Sequence, residues 1–462
     1  MLKFNEYSEE NSTFIKIKEE NAIGHIELRE EDCMLSIGGG CATLAFESVK
    51  DDEFKVDQLI IDIHFGLAIL LYSEGYEAAA AGIFRKNYNG TSFLKNDNFV
   101  FDILKCYYDA HYWDDIEEAF TWLRKQKRHH NACRMFLFQF YRNYRRDSEQ
   151  ERDLVEKLYL LDLEFSIEAA DETLIGSSFY NLGNFYRSIG ETLKAVKNYN
   201  SARKIDVIYE YRGYFWRELG ELFFGIEKRT WAKTAYLKAV TFGDDIDARA
   251  KYADCLLYEG KYSEALKEFQ VYCAEHEFTP NGWLLKLECL EKFVENYAIK
   301  DGVRDSIKSN ELAYKQPHKK EHFVKAVNLD LMNAGAWFNF GVTLSSVTKE
   351  PDEALWAFLW AALTCPNDVE AWVNSFFLSF NLGQSKEDSL LAVTIFTEAY
   401  QFNRSGFIEL AFKFADTNPS IKDEDREGLK QGLMAMANEI SGGKRFDFRL
   451  LGPDRELSTF SV

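Results

Sequence analysis

Two stretches of this chain carry residue types at spacings that could do chemistry. His318-Lys319-Lys320-Glu321-His322 spells HxxEH. On a helix its two histidines lie four apart on one face, where they could ligate a divalent metal beside a glutamate base. A five-residue match arises readily by chance, and Phe323 and Ala326 account for the segment as apolar helix core. Zinc chemistry is therefore disfavoured and no cofactor is expected. The second stretch, residues 124–146, gathers Arg124, Lys125, Lys127, Arg128, Arg134, Arg142, Arg145 and Arg146 with no Asp or Glu between them. His129 and His130 sit among them, and Phe136, Phe138, Phe140, Tyr141 and Tyr144 are interleaved. Basic and aromatic side chains together suit phosphate and nucleobase contact. The same pattern also reads as a face that docks an acidic protein, or as a solvated helix face whose rings are core.

Other catalytic signatures fail on inspection. Gly38-Gly39-Gly40 lacks the final glycine of GxGxxG and precedes no evident helix, so it reads as a turn between strands. Neither a GxxxxGK[ST] loop nor a GxSxG elbow occurs. Cys133 lies near His129 and His130, but nothing marks an activated thiolate. The expectation is a protein that is not an enzyme. Eight cysteines without a CxxC pair read as reduced, mostly buried thiols. The segment Met1-Leu2-Lys3-Phe4-Asn5-Glu6 lacks the basic-then-apolar order of a secretory signal. No run approaches the ~18 apolar residues of a membrane span. Cytoplasm is the expected compartment. The net charge of −20 opposes non-specific binding to nucleic acid or anionic membrane by the molecule as a whole.

The elements that must position these residues are mostly helical. Hydrophobic content of 46% and aromatic content of 15% exclude a disordered chain, and six prolines in 462 residues favour long uninterrupted helices. Residues 1–56 are the exception. Segments 13–18, 24–29, 34–37 and 43–46 alternate apolar and polar with glycine punctuation, which predicts three or four short antiparallel strands. Residues 57–170 follow a helical-hairpin template loosely.

From residue 176 the template becomes regular. One copy reads Phe179, Leu182, Gly183, Tyr186, Gly190, Ala195, Tyr199, Ala202; the next reads Trp216, Leu219, Gly220, Phe223, Ala232, Tyr236, Ala239. Their register is about 37 residues, against roughly 34 for a tetratricopeptide unit. A third copy holds Tyr252, Ala253, Leu256, Gly260, Tyr262, Ala265, Phe269 and Tyr272. A fourth starts at Trp283, Leu287 and Leu290, and its second helix, with Phe323, Ala326 and Leu329, arrives only after an insert at 297–316. A fifth runs from Trp337 and a sixth from Trp372, followed by two helices near 405–416 and 424–439 and a tail from 444. Small residues at the eighth and twentieth positions let two helices approach, while large ones fill the seams. A single hairpin cannot bury its own apolar face, so copies must stack.

This pattern resembles the tetratricopeptide-repeat family, well over about 176–402 and poorly over 57–170. The resemblance implies a mostly α fold: a solenoid of stacked tetratricopeptide-like hairpins behind a small β-rich N-terminal element. The implied layout is 1–56 β-rich, 57–170 degenerate hairpins, 171–404 repeats, and 405–462 capping helices and tail. In that family the second, fifth, ninth and twelfth positions of each first helix face a concave groove. Carried over, these positions include Asn184 and Arg187, then Arg217 and Phe224, then Phe338, and finally Phe377 and Phe380. The middle of the groove is thus charged, and its C-terminal end offers rings that mark a contact if solvated. Some members clamp a chaperone's C-terminal carboxylate. Asn184 fits one clamp position, but Tyr180, Glu218 and Asp247 do not fit others.

The resulting expectation is a non-catalytic scaffold or regulatory subunit that holds a protein or peptide in its groove, with homo-oligomerisation left open. Two alternatives stand beside it: a nucleic-acid-associated factor using 124–146, and a peptide-sensing regulator. Strands rather than a helix-turn-helix at the front count against the latter.

Overall fold

The computed structural model describes residues 56–87, 97–126, 130–145, 148–243, 247–276, 279–297, 299–301, 304–315, 319–382, 386–419 and 421–442, with the backbone of short strands in the two terminal segments. The chain divides into two compact units, Met1–Tyr209 and Glu210–Val462.

The first unit opens with β1 Lys3–Glu9, β2 Ser12–Glu19, β3 Ala22–Leu28, β4 Asp32–Ile37 and β5 Gly40–Ala45. They pair antiparallel in chain order, and register places Ile15, Ile26, Leu35 and Ala42 in one cross-strand row. β4 and β5 lie against the first helix. Helices follow in pairs: α1 Val56–Ser73 with α2 Glu77–Asn87, α3 Asp97–Asp109 with α4 Trp113–Gln126, α5 His130–Asn143 with α6 Glu149–Ala169, and α7 Glu172–Ser188 with α8 Thr192–Ile205.

The second unit continues with α9 Gly213–Gly225, α10 Arg229–Thr241, α11 Ala248–Tyr258, α12 Tyr262–Glu275, α13 Asn281–Asn296, α14 Ser306–Lys315 and α15 Lys320–Leu329. Then come α16 Ala334–Thr343, α17 Pro351–Thr364, α18 Val369–Leu382, α19 Lys386–Phe402, α20 Arg404–Thr417 and α21 Asp423–Ser441. In the tail, β6 Lys444–Arg445 pairs with β7 Phe460–Ser461. One apolar core runs through α11 to α21.

Three local devices repeat and make these pairs tetratricopeptide-like. In the first, a small residue on one helix takes the ring of its partner. A Cβ at Gly183 would lie 2.7 Å from the Tyr199 ring, one at Gly220 2.6 Å from Tyr236, and one at Gly341 2.9 Å from Phe358. Such distances are not tolerated, so glycine is what allows each helix to close on its partner. The second device is the turn. Gly75, His111, Gly190, Glu227 and Gly260 all adopt the left-handed conformation, and the residue after each donates to a carbonyl five back. Glu191 N to Tyr186 O at 2.9 Å and Lys228 N to Phe223 O at 2.9 Å are examples. This is the Schellman stop, which satisfies the helix's last carbonyls while reversing the chain. Because α1–α2 and α3–α4 share it, the loosely patterned front pairs are built like the regular ones. Third, Trp216, Trp337 and Trp372 each donate Nε1–H to the carbonyl six residues earlier, at 2.8, 2.8 and 3.0 Å. A buried indole N–H must find an acceptor, and the inter-hairpin turn supplies it.

One expectation fails at the fourth hairpin. The segment 297–316 is not an insert between paired helices: it contains α14, which itself pairs with α15. Ser309 and Ala313 are buried at that seam, and Ser309 Oγ donates to Ala326 O at 2.8 Å. Helix α13 instead packs on α12 and α17. Its Phe293 stacks on Trp337 with centroids 4.2 Å apart and meets Trp360 edge-on at 5.5 Å. Trp283 donates its indole N–H to Asp254 Oδ2 at 3.0 Å.

Candidate functional site

The groove positions are built differently along the chain. In the first unit, Asn184 Oδ1 accepts from Tyr199 Oη at 2.7 Å, and its backbone carbonyl accepts from Tyr141 Oη at 3.1 Å. Arg187 on the same helix is half-buried. In the second unit, Arg217 lies 3.7 Å from Glu221, which also takes Lys251 Nζ at 2.7 Å. Phe224 is covered by the Arg229 guanidinium, 3.6 Å from its ring centroid, and meets Tyr258 edge-on. These charges are answered within the fold and leave little unsatisfied polarity.

Helices α14, α16 and α18 each carry an exposed apolar side chain. Tyr314 is 67% exposed, Val342 41% and Phe380 52%. Phe338 is half-buried and meets Phe358 edge-on at 5.3 Å. Phe377 departs from expectation: it is buried and stacks on Phe414 with centroids 4.4 Å apart. Helix α20 lies over this part of α18, so the ring belongs to the core.

A cavity of about 260 Å³ opens at the N-terminal end of α13. Its walls are Trp283 and Gly282 of α13, Leu363 and Pro366 around the end of α17, and Phe402 of α19. Two charged side chains enter it, Lys286 and Glu398. Lys286 Nζ is held 2.5 Å from Asp254 Oδ1, and the other Asp254 oxygen takes the Trp283 indole. Glu398 has no cation within ion-pair distance among the described residues. The backbone N–H of Gly282 lies beside it, and a Cβ at Gly282 would stand 2.5 Å from Glu398 Oε1. The side chain is half-buried, and burial pushes its carboxyl above the ordinary carboxylate range, against smaller opposing effects of Lys286 and the Gly282 N–H.

The basic stretch is divided by the fold. Arg134, on α5, points inward. Its Nε lies 3.0 Å from Asp162 Oδ1, and one terminal nitrogen reaches Ser166 Oγ and Ser178 Oγ, both at 2.9 Å. Arg145 pairs with Glu151 at 2.7 Å. Arg142 remains at the surface over the exposed Phe138 ring, while Phe136, Phe140 and Tyr144 are core. The side chains of Arg124, Lys125, Lys127, Arg128 and Arg146 lie outside the described residues. Arg134, whose charge is met inside the fold, is thereby withdrawn from any continuous phosphate-binding face, whereas Arg145 stays exposed beside Glu151.

Of the HxxEH motif, His318 lies outside the described residues; His322 is half-buried and its Nδ1 has no hydrogen-bond partner. Among the described residues no group of three candidate ligands could hold a metal ion. Burial pushes the Cys106 and Cys255 thiols up to about 12, the opposite of an activated nucleophile. Among those residues, no helix is long and apolar enough to cross a membrane.

No family model matches this chain, and no curated protein matches it. Solved structures with similarity to it include repeat proteins at low identity. A tetratricopeptide repeat protein from Parabacteroides merdae is 14% identical, covering 61% of this chain and 98% of that one, with a TM-score of 0.31. A protective antigen of uropathogenic Escherichia coli with an SLR fold is 15% identical, covering 82% and 76%, with a TM-score of 0.31. Yeast Tom70 is 13% identical, covering 84% and 96%, with a TM-score of 0.25. The repeat architecture itself rests on the glycine–ring contacts, Schellman turns and tryptophan–carbonyl bonds described above.

Proposed function

We propose that this chain is a non-catalytic scaffold that binds a protein or peptide across the first helices of its C-terminal hairpins. The observation that carries this reading is the set of large apolar side chains left in water on three such helices: Tyr314 on α14, Val342 on α16 and Phe380 on α18. Single exposed apolar residues are ordinary, but a recurrence on equivalent helices of stacked hairpins is the form a contact surface takes. Each ring covered by a partner contributes on the order of 2 kcal/mol. The charged positions at α9 and α11 are already satisfied and supply orientation more than affinity.

The test is affinity capture of the tagged chain from its own cells, split into nuclease-treated and untreated halves. A stoichiometric protein partner should survive nuclease and be lost when Tyr314, Val342 and Phe380 are changed together to serine. A partner that stays bound to the triple variant would overturn this surface. Partners lost only on digestion would transfer the reading to nucleic acid.

A further inference from the structure

We propose that the cavity beside α13 is a receptor for one organic cation, a protonated amine or guanidinium carried on an apolar stem, with Glu398 as its counter-ion and Trp283 and Phe402 flanking the stem. The argument begins with what Glu398 lacks. A carboxylate taken from water needs an opposite charge or several donors. Among the described residues this one has no ion pair, only the backbone N–H of Gly282 beside it, and the nearby ammonium of Lys286 is committed to Asp254. Among the described residues, Lys286, Asp254 and Glu398 together leave one negative charge at the cavity wall without a cation.

The site is built around that charge. Gly282 leaves room for the carboxylate, since any Cβ there would collide with Oε1. The first turn of α13 supplies the N–H that fixes it, as helix N-termini do for anions. An anionic ligand is thereby excluded, because Glu398 already occupies the anion's place. The remaining walls, Trp283, Leu363, Pro366 and Phe402, are apolar or aromatic, and indole and phenyl faces attract cations. A volume of about 260 Å³ holds one side chain rather than a folded segment. The partner group with this chemistry is a lysine or arginine side chain of the bound protein, which deepens the scaffold reading and rests on it for that identity; a free amine has the same chemistry.

The full chain is titrated with N-acetyl-lysine amide, N-acetyl-arginine amide, cadaverine and, as neutral and anionic controls, N-acetyl-norleucine amide and N-acetyl-glutamate amide, followed by calorimetry. At least one cation is expected to bind with Kd of about 1 mM or tighter, and the controls at least about tenfold more weakly. Glu398→Gln, whose amide oxygen can still accept from Gly282, should lose at least about tenfold in affinity without losing thermal stability. Gly282→Ala, which keeps the carboxylate but displaces it, should lose affinity as well. Tighter binding of cadaverine than of either blocked amino acid assigns the site to a free amine; the reverse assigns it to a peptide side chain. Equal binding of norleucine amide, no binding of any cation, or wild-type affinity in Glu398→Gln overturns the proposal. These probes require no protein partner, so failure here leaves the scaffold reading intact, and failure of the capture experiment leaves the cation site intact.

Discussion

Asp162 in the first unit and Glu398 in the second are both carboxylates drawn in from water, and the fold treats them in opposite ways. Asp162 is answered three times, by Arg134 Nε at 3.0 Å, by a second Arg134 nitrogen at 3.3 Å and by Ser178 Oγ at 2.6 Å. The same arginine ties in Ser166 and the Leu174 carbonyl, so one cluster joins α5, α6 and α7. Glu398 faces a cavity with the Gly282 N–H beside it and, among the described residues, no ion pair. A fully satisfied buried network holds elements together. An unanswered carboxylate at a cavity wall contributes little to the fold and stays available to a ligand.

Removing the answered carboxylate should have the largest effect. Asp162→Ala leaves the buried Arg134 guanidinium without its counter-ion and Ser178 without its carboxylate acceptor, with an expected loss of about 3 kcal/mol in urea unfolding. A loss below about 1 kcal/mol would erase the contrast with Glu398. Gly282→Ala pushes the Glu398 carboxylate, the end of a flexible side chain, aside, with an expected loss of about 1 kcal/mol. Differential scanning fluorimetry reads it, and an unchanged melting temperature would mean that Glu398 is not held where described. A reference outside both carboxylate sites comes from Glu227, which takes φ of +60° at the α9–α10 turn. Glu227→Gly should stabilise by about 1 kcal/mol, because glycine enters the left-handed region without strain. Glu398→Gln should move stability least, by under about 1 kcal/mol near neutral pH, and upward if at all.

The regular hairpins were legible because their packing is written at fixed positions: Gly183 under Tyr199, Gly220 under Tyr236, and Trp216, Trp337 and Trp372 over the turn before them. Helix α14 escaped because Ser309 and Ala313 make its seam without any ring, while Trp283 carries the repeat's mark on a helix that packs elsewhere. Strand β1 has only Phe4 and Tyr7 as apolar residues, too sparse for an alternation to show. Phe377 has the type and spacing of a groove residue, and only the placement of α20 decides that it is covered. The candidate cation site could not be read at all. Gly282 and Glu398 are far apart in sequence, and neither belongs to a motif. Arg134 likewise looked like one charge of a basic face until Asp162, 28 residues away, was found beside it.

The most direct test is the stability of wild type and Glu398→Gln compared by urea unfolding from pH 4 to pH 8. Burial raises the folded-state pKa of Glu398 above its unfolded value, so the folded protein holds this proton more tightly. Its contribution is therefore fully present below the unfolded pKa and is lost as pH rises through the folded one. Lys286 and Asp254, the charged neighbours, are common to both proteins. The account predicts that the variant's stability relative to wild type increases as pH rises across this window, to equality or a slight advantage at pH 8. A variant that becomes steadily less stable than wild type as pH rises would show the charged carboxylate to be answered within the fold, as Asp162 is, and would contradict the account.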